Sequence, residues 1–273
     1  MTMSGRVALV TGASSGLGRA IATELHGAGY RVYGTSRKVA GKDNPYGAFN
    51  LITMDVDQDD SVEAAIASIV EREGGLDVVV SNAGMHLAGA LEDTSSREAL
   101  AQFQTNFFGA HRVCRASLPH LRARQRAHIV VIGSLAGVLA IPFQGMYSAA
   151  KFALEGYCES LRMELRGTGV RVAIAEPGDF ATGVTAARQQ TIASGEGSVY
   201  RAAFKAAMAV IEKDETGGGD SALVGRLVKR IVDTDKPALR YKVGAFLQTA
   251  VARAKPLIPP ATLEAIIADH YKC

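Results

Sequence analysis

The sequence predicts an α/β fold: a single doubly wound domain over residues 1–273 on a central parallel sheet of about seven strands. Three observations predict it. Short apolar, β-branched runs alternate with segments of helical spacing through most of the 273 residues. The runs are hydrophobic almost without interruption, as strands covered on both faces must be. A glycine-rich stretch, "TGASSGLG" (11–18), lies between the first run and the first helical segment. Strand–helix alternation of this kind builds right-handed βαβ units.

The elements follow in order. "RVALVT" (6–11) reads as the first strand and "GRAIATELHGAG" (18–29) as an amphipathic helix closed by glycines. "RVYGTS" (31–36) and "NLITMD" (50–55) are the next strands, and "SVEAAIASIVERE" (61–73) the next helix. "DVVVS" (77–81), a long helical region over 97–124, and "HIVVIG" (128–133) come after them. The helix "YSAAKFALEGYCESLRMELRGTG" (147–169) leads to "VRVAIAE" (170–176). Past Pro177 the pattern loosens. Residues 180–220 mix short helical pieces with "GEGS" and "TGGGD", just beyond a strand's carboxyl end, and read as a substrate lid. A helix over 221–232 and a last strand, "LRYKV" (239–243), precede a tail (244–273) to which the sequence assigns no role.

Composition narrows the function classes. A formal net charge of +3 is too small for a nucleic-acid surface, and the basic stretch 111–128 reads as a solvated helix end. Cys114, Cys158 and Cys273 are widely spaced, with no Cys/His pattern for a metal, so reduced thiols in a cytoplasmic compartment are expected. A strand starting at Arg6 leaves no room for a targeting peptide, and no apolar stretch reaches the roughly 18 residues of a membrane span.

The glycine loop suits a phosphate ligand. Helix N-termini present unpaired N–H groups and a favourable dipole to anions, and close backbone approach requires the absence of side chains. Gly12, Gly16 and Gly18 meet that need with G-x-x-x-G-x-G spacing, and Ser14, Ser15 and Leu17 fill the loop between them.

Four further motifs accompany the loop: "NAG" (82–84), "GS" (133–134), Y-x-x-x-K (147–151) and "PG" (177–178). Together the five resemble the short-chain dehydrogenase/reductase family in order and spacing over about residues 6–182, and the Tyr147 helix resembles its hydroxysteroid and retinol dehydrogenase branch. Ser81, Ala150 and Asp179 depart from that pattern. The resemblance implies a Rossmann-type oxidoreductase that interconverts a secondary alcohol and its ketone or aldehyde with NADP(H). Tyr147 would be the acid/base; Lys151, one helical turn on, and the oxidised nicotinamide would both lower the phenol pKa, and Lys151 would also hold the nicotinamide ribose. Ser134 would stabilise the substrate oxygen, and Asn106 would position a water for proton relay.

The end of the second strand bears on the cofactor. NAD enzymes place a carboxylate there; this chain has Thr35, Ser36, Arg37 and Lys38. A guanidinium forks naturally onto a phosphate, so Arg37, helped by Ser36, predicts preference for NADP(H) over NAD(H). In the family pattern Asp55 and Val56 face the adenine, Asn82, Ala83 and Gly84 wall the adenosine, and Pro177, Gly178 and Thr182 border the nicotinamide. Leu139, Pro142, Phe143 and Met146, with Phe180 from the lid and His86 near the entrance, are expected to form a hydrophobic substrate pocket. No metal is expected. The apolar content of the 97–124 and 147–169 helices predicts a homodimer or homotetramer. A non-catalytic NADP-binding redox sensor and an epimerase or dehydratase of the same family remain the alternatives.

Overall fold

The computed structural model describes residues 5–38 and 48–273; residues 1–4 and 39–47 of the expected domain lie outside the described residues. The first half runs β1 (Val7–Val10), α1 (Gly16–Gly27), β2 (Arg31–Ser36), β3 (Asn50–Thr53), α2 (Asp59–Glu73), β4 (Val78–Ser81) and β5 (Leu87–Ala88). Next come α3 (Ser96–Phe103), α4 (Gly109–Arg122), β6 (Ala127–Ile132), α5 (Gly145–Glu164) and β7 (Val170–Pro177). The chain ends with α6 (Val184–Ala187), β8 (Gln189–Gln190), α7 (Arg201–Thr216), α8 (Ala222–Asp233), β9 (Arg240–Val243), α9 (Phe246–Ala254) and α10 (Pro260–Tyr271).

Seven strands form one wholly parallel sheet in the order β3-β2-β1-β4-β6-β7-β9. The period-2 geometry of each strand divides its side chains between two cores. Leu9, Val79, Ile129, Val131 and Ile174 pack with Ile66 of α2, Val113 of α4 and Leu154 of α5. Ala8, Val10, Val80, Val130 and Ile132 face the other way, onto Ile21 and Leu25 of α1 and Val228 and Ile231 of α8. Both faces are dry, which is why the strands read as continuous apolar runs.

The strand order reverses between β1 and β4. The chain builds outward from β1 through β2 to β3, then returns to β4 on the other side. Loops leaving the carboxyl ends at this switch point cannot cover one another, so a crevice opens there.

Three local features differ from the sequence reading. The 97–124 region is not one helix: a π-helical turn, Gln104–Phe108, separates α3 from α4. Such turns insert where a side chain must be re-aimed, and here it carries Asn106. Within the proposed lid, β8 pairs with β5 as a separate two-stranded parallel sheet. The tail folds into α9 and α10, whose Val251, Ala252, Leu263 and Ile267 pack on Leu135 and Leu139 beyond β6. Among the described residues no helix is long and apolar enough to cross a membrane.

Candidate active site

A cleft of about 820 Å³ opens over the carboxyl ends of the central strands. At one end is the glycine loop. Gly12 and Gly16 have φ of +65° and +52°, conformations that favour glycine. The side chain of Ser15, the N-cap of α1, makes no capping hydrogen bond, so no side chain competes for the first-turn N–H groups. Thr11 fastens this loop to the next strand: its hydroxyl accepts from the N–H of Asn82 and of Ala83, each at 2.8 Å. Asn82 Nδ2 donates back to the Thr11 carbonyl at 2.8 Å. The uncapped helix end and the glycine backbone fit a dinucleotide pyrophosphate.

Gly12, Ser14, Ser15, Gly16 and Leu17 line the cleft, as do Ser36, Arg37, Asp55, Val56, Asn82, Ala83, Gly84, Pro177, Gly178 and Thr182. Gly18 does not, contrary to the sequence reading. It packs beneath the loop, where a Cβ would fall 2.5 Å from Asn82 Nδ2 and 2.8 Å from the Gly12 carbonyl carbon. Arg37 is exposed at the far end and makes no hydrogen bond or ion pair among the described residues.

The catalytic candidates converge at the other end. Tyr147 and Lys151 lie one turn apart on α5, both buried. Lys151 Nζ donates to the Ile132 carbonyl at 2.7 Å and stands 5.7 Å from the centre of the Tyr147 ring. Burial lowers its pKa to about 8, against the raising effect of Glu155. The Tyr147 phenol is pushed up to about 12, chiefly by burial. The neighbouring Ser134 hydroxyl, which donates to the Pro177 carbonyl at 3.4 Å, and the Arg188 charge oppose the rise, while Glu215 and Asp179 add to it. The lowering expected from Lys151 and an oxidised nicotinamide together is not seen in the protein alone. The ammonium lies against the ring and donates to a carbonyl, so desolvation of the phenolate wins. At neutral pH the phenol holds its proton.

Ser134 caps the 3₁₀ turn Leu135–Gly137, accepting from Ala136 N at 3.0 Å. Asn106 is buried, and both ends of its amide are taken by Met85. Oδ1 accepts from the Met85 N–H at 2.8 Å and Nδ2 donates to the Met85 carbonyl at 3.0 Å. That grip fixes residues 84–86 and with them His86, which stacks on Tyr147 at 4.3 Å between ring centres. Burial, with Lys151 and Arg188 nearby, lowers the His86 pKa to about 3, so the stacked ring is neutral.

On the substrate side His86, Leu139 and Phe180 line the cleft, whereas Pro142, Phe143 and Met146 do not. Phe143 has φ +59° and turns away, packing on Phe204 in a satellite core with Met208 and Ile211. Its strained backbone lets its carbonyl accept from Gly89 N at 2.8 Å, pinning the strand-end loop to the start of α5. The sequence reading missed residues that take those places: Leu247, Gln248 and Val251 of α9, Ile267 and Tyr271 of α10, Glu215 of α7, and Asp179. Among the described residues no His, Cys, Asp and Glu group could hold a metal ion.

The short chain dehydrogenase family model matches residues 6–193. A 3-ketodihydrosphingosine reductase from Bacteroides thetaiotaomicron is 38% identical over 98% of this chain and 99% of its own length. Human retinol dehydrogenase 8 is 37% identical over 67% of this chain and 61% of its own. The crystal structure of a short-chain dehydrogenase from Streptomyces avermitilis, 30% identical, superposes with a TM-score of 0.80 over 98% of this chain and 97% of that one. A glycine cradle at the sheet's switch point, a Ser–Tyr–Lys set at the far end of the same cleft and a family match over most of the chain agree: the protein belongs to the short chain dehydrogenase family of oxidoreductases.

Proposed function

We propose that the protein is an NADP(H)-dependent oxidoreductase that interconverts a hydrophobic secondary alcohol and its ketone, with Tyr147 as acid/base. The observation that carries this reading is the buried Tyr147 phenol, which lies with Ser134 and Lys151 in the same cleft as the glycine cradle. When bound, the nicotinamide supplies or accepts the hydride. Gly12, Ser14, Ser15, Gly16 and Leu17 would hold its pyrophosphate, Ser36 and Arg37 the extra phosphate of NADP, and Asp55, Val56 and residues 82–84 the adenosine. Pro177, Gly178 and Thr182 would flank the nicotinamide, with Lys151 serving its ribose.

In reduction, Ser134 and Tyr147 hold the carbonyl oxygen by hydrogen bonds, and the phenol gives its proton as that oxygen gains charge. A phenol that keeps its proton at neutral pH suits this direction. Asn106 acts by holding the 84–86 loop. The wall formed by Leu139, Leu247, Val251 and Ile267 favours a long apolar chain, in keeping with the 3-ketodihydrosphingosine reductase among the relatives. Leu100, Phe108 and Met163, exposed on and between α3, α4 and α5, support a homo-oligomer paired through these helices.

The test is loss of nicotinamide absorbance when NADPH meets a panel of long-chain ketones. Many turnovers per enzyme are expected, with NADPH preferred to NADH. No net NADPH consumption with any ketone, and no NADP reduction with any alcohol, would refute the reading and favour an epimerase or a sensor.

A further inference from the structure

We propose that Gln102 is a positioning residue for the proton transfer: it grips the backbone on both sides of His86, and the His86 ring holds the Tyr147 ring from one face. This rests on the acid/base reading of Tyr147 above and deepens it.

Gln102 is the one buried residue of α3, and it is fully buried. A helix that packs on a core normally buries apolar side chains, and a glutamine there loses both rotamer freedom and hydration. Both ends of this amide are nevertheless matched. Oε1 accepts from the Leu87 N–H at 2.9 Å, and Nε2 donates to the Met85 carbonyl at 2.9 Å. The two contacts bracket His86. The Met85 carbonyl also takes Asn106 Nδ2 at 3.0 Å, which uses both of its lone pairs. The carbonyl of His86 itself accepts from the Gln189 N–H at 2.9 Å. Residues 85–87 are therefore held through their main chain by groups outside the loop, and Gln102 holds two of the three. A leucine of similar volume would fill the same space and make none of these bonds.

What this clamp aims is a ring. His86 stacks on Tyr147 with 4.3 Å between ring centres and 25° between planes. Nδ1 of the imidazole is buried without a hydrogen-bond partner, so the backbone and the stack set the ring's place. A phenol that transfers a proton must stay within hydrogen-bond reach of the substrate oxygen. A ring lying flat against Tyr147 removes its freedom to tilt away, and a misplacement of about 1 Å at a reacting group can cost on the order of 10²-fold in rate. The device is separate from the adenosine wall. Thr11 anchors Asn82 and Ala83, whereas Gln102 takes up only residues beyond Gly84. Loss of Gln102 should therefore be read in kcat and not in NADPH affinity.

The test makes Gln102→Leu and His86→Ala singly and together, and measures kcat with NADPH and a long-chain ketone beside the NADPH dissociation constant. Each single variant should lose roughly 10–100-fold in kcat, with NADPH affinity within about twofold of wild type. Because one residue acts through the other, adding Gln102→Leu to His86→Ala should cost less than about threefold more. A merely structural glutamine would lower stability in both backgrounds without this coupling. Losses that multiply, an unchanged kcat in Gln102→Leu, or a loss traced to weaker NADPH binding would each overturn the inference and leave Tyr147 as the acid/base. His86→Phe keeps a ring and removes the imidazole nitrogens, so it should retain at least about tenfold more kcat than His86→Ala. Equal kcat in these two variants would overturn the stacking link, even where Gln102→Leu folds poorly. Turnover of no ketone by the wild-type enzyme would defeat the acid/base reading and this inference with it.

Discussion

Placing a methyl group on Gly18, which does not itself line the cleft, should damage the cofactor cradle from beneath by pressing on Gly12 and Asn82. The Cβ of Gly18→Ala would lie 2.5 Å from Asn82 Nδ2 and 2.8 Å from the Gly12 carbonyl carbon, and closer still to the carbonyl oxygen. The opposing atoms are backbone and a side chain pinned to Thr11, so neither can swing aside. Overpacking of this kind costs ~1–3 kcal/mol, set against a gain of up to ~1 kcal/mol from replacing glycine inside a helix. The net expectation is a loss of about 1–2 kcal/mol with NADPH affinity reduced, because the Gly12 and Asn82 positions must move. Gly27, at the other end of the same helix, is the control. A Cβ there meets nothing within 4 Å, so Gly27→Ala should gain about 0.5–1 kcal/mol and leave NADPH binding alone. Urea midpoints and NADPH fluorescence titrations measure both variants. A Gly18→Ala protein as stable as Gly27→Ala, with wild-type NADPH affinity, would refute the packing argument.

Other outcomes follow from the same structure. Arg37→Ala should weaken NADPH binding by about 1.5–3 kcal/mol and barely change NADH, and equal losses in titration would show that Arg37 does not read the extra phosphate. Lys151→Met, which keeps much of the volume and removes the charge, should impair both NADPH affinity and turnover; a variant with normal affinity would remove Lys151 from the cofactor site. His128 is buried between Arg6 and the Thr234 carbonyl, and burial lowers its pKa to about 4 from 6.5. Its folded pKa lies below the unfolded one, so its stability contribution is complete above about pH 6.5 and is lost as pH falls toward 4. Between pH 7.5 and 5 this one group should cost roughly 2 kcal/mol, a loss that His128→Gln should remove from urea titrations at the two pH values.

Much of the fold was legible because parallel strands buried on both faces leave unbroken apolar runs, as "VALV" and "AHIVVI" do. The cradle and the Tyr147–Lys151 pair were legible because their chemistry needs fixed local spacing, three glycines in one loop and two residues on one helical face. What was missed depends on contacts distant in sequence. Asp179 meets Gln248 across 69 residues, and α10 joins the cleft wall although none of its residues is buried. The strands β5 and β8 have two residues each, too few for any period to show. The apolar stretch before Tyr147 was misread in part because a pocket wall and a core have the same composition; only the backbone turn at Phe143 sends that ring into the core. The raised phenol pKa was not legible either, since Lys151 lies within reach yet donates to Ile132.

The central claim is that the Tyr147 phenol moves the proton. Its most direct test is turnover by Tyr147→Phe with NADPH and a long-chain ketone, alongside the NADPH dissociation constant of the same protein. The phenol does not hold the cofactor, so affinity should stay at the wild-type value while kcat falls by at least ~10²–10⁴-fold, the usual contribution of a general acid. Near-normal turnover by Tyr147→Phe would contradict the account.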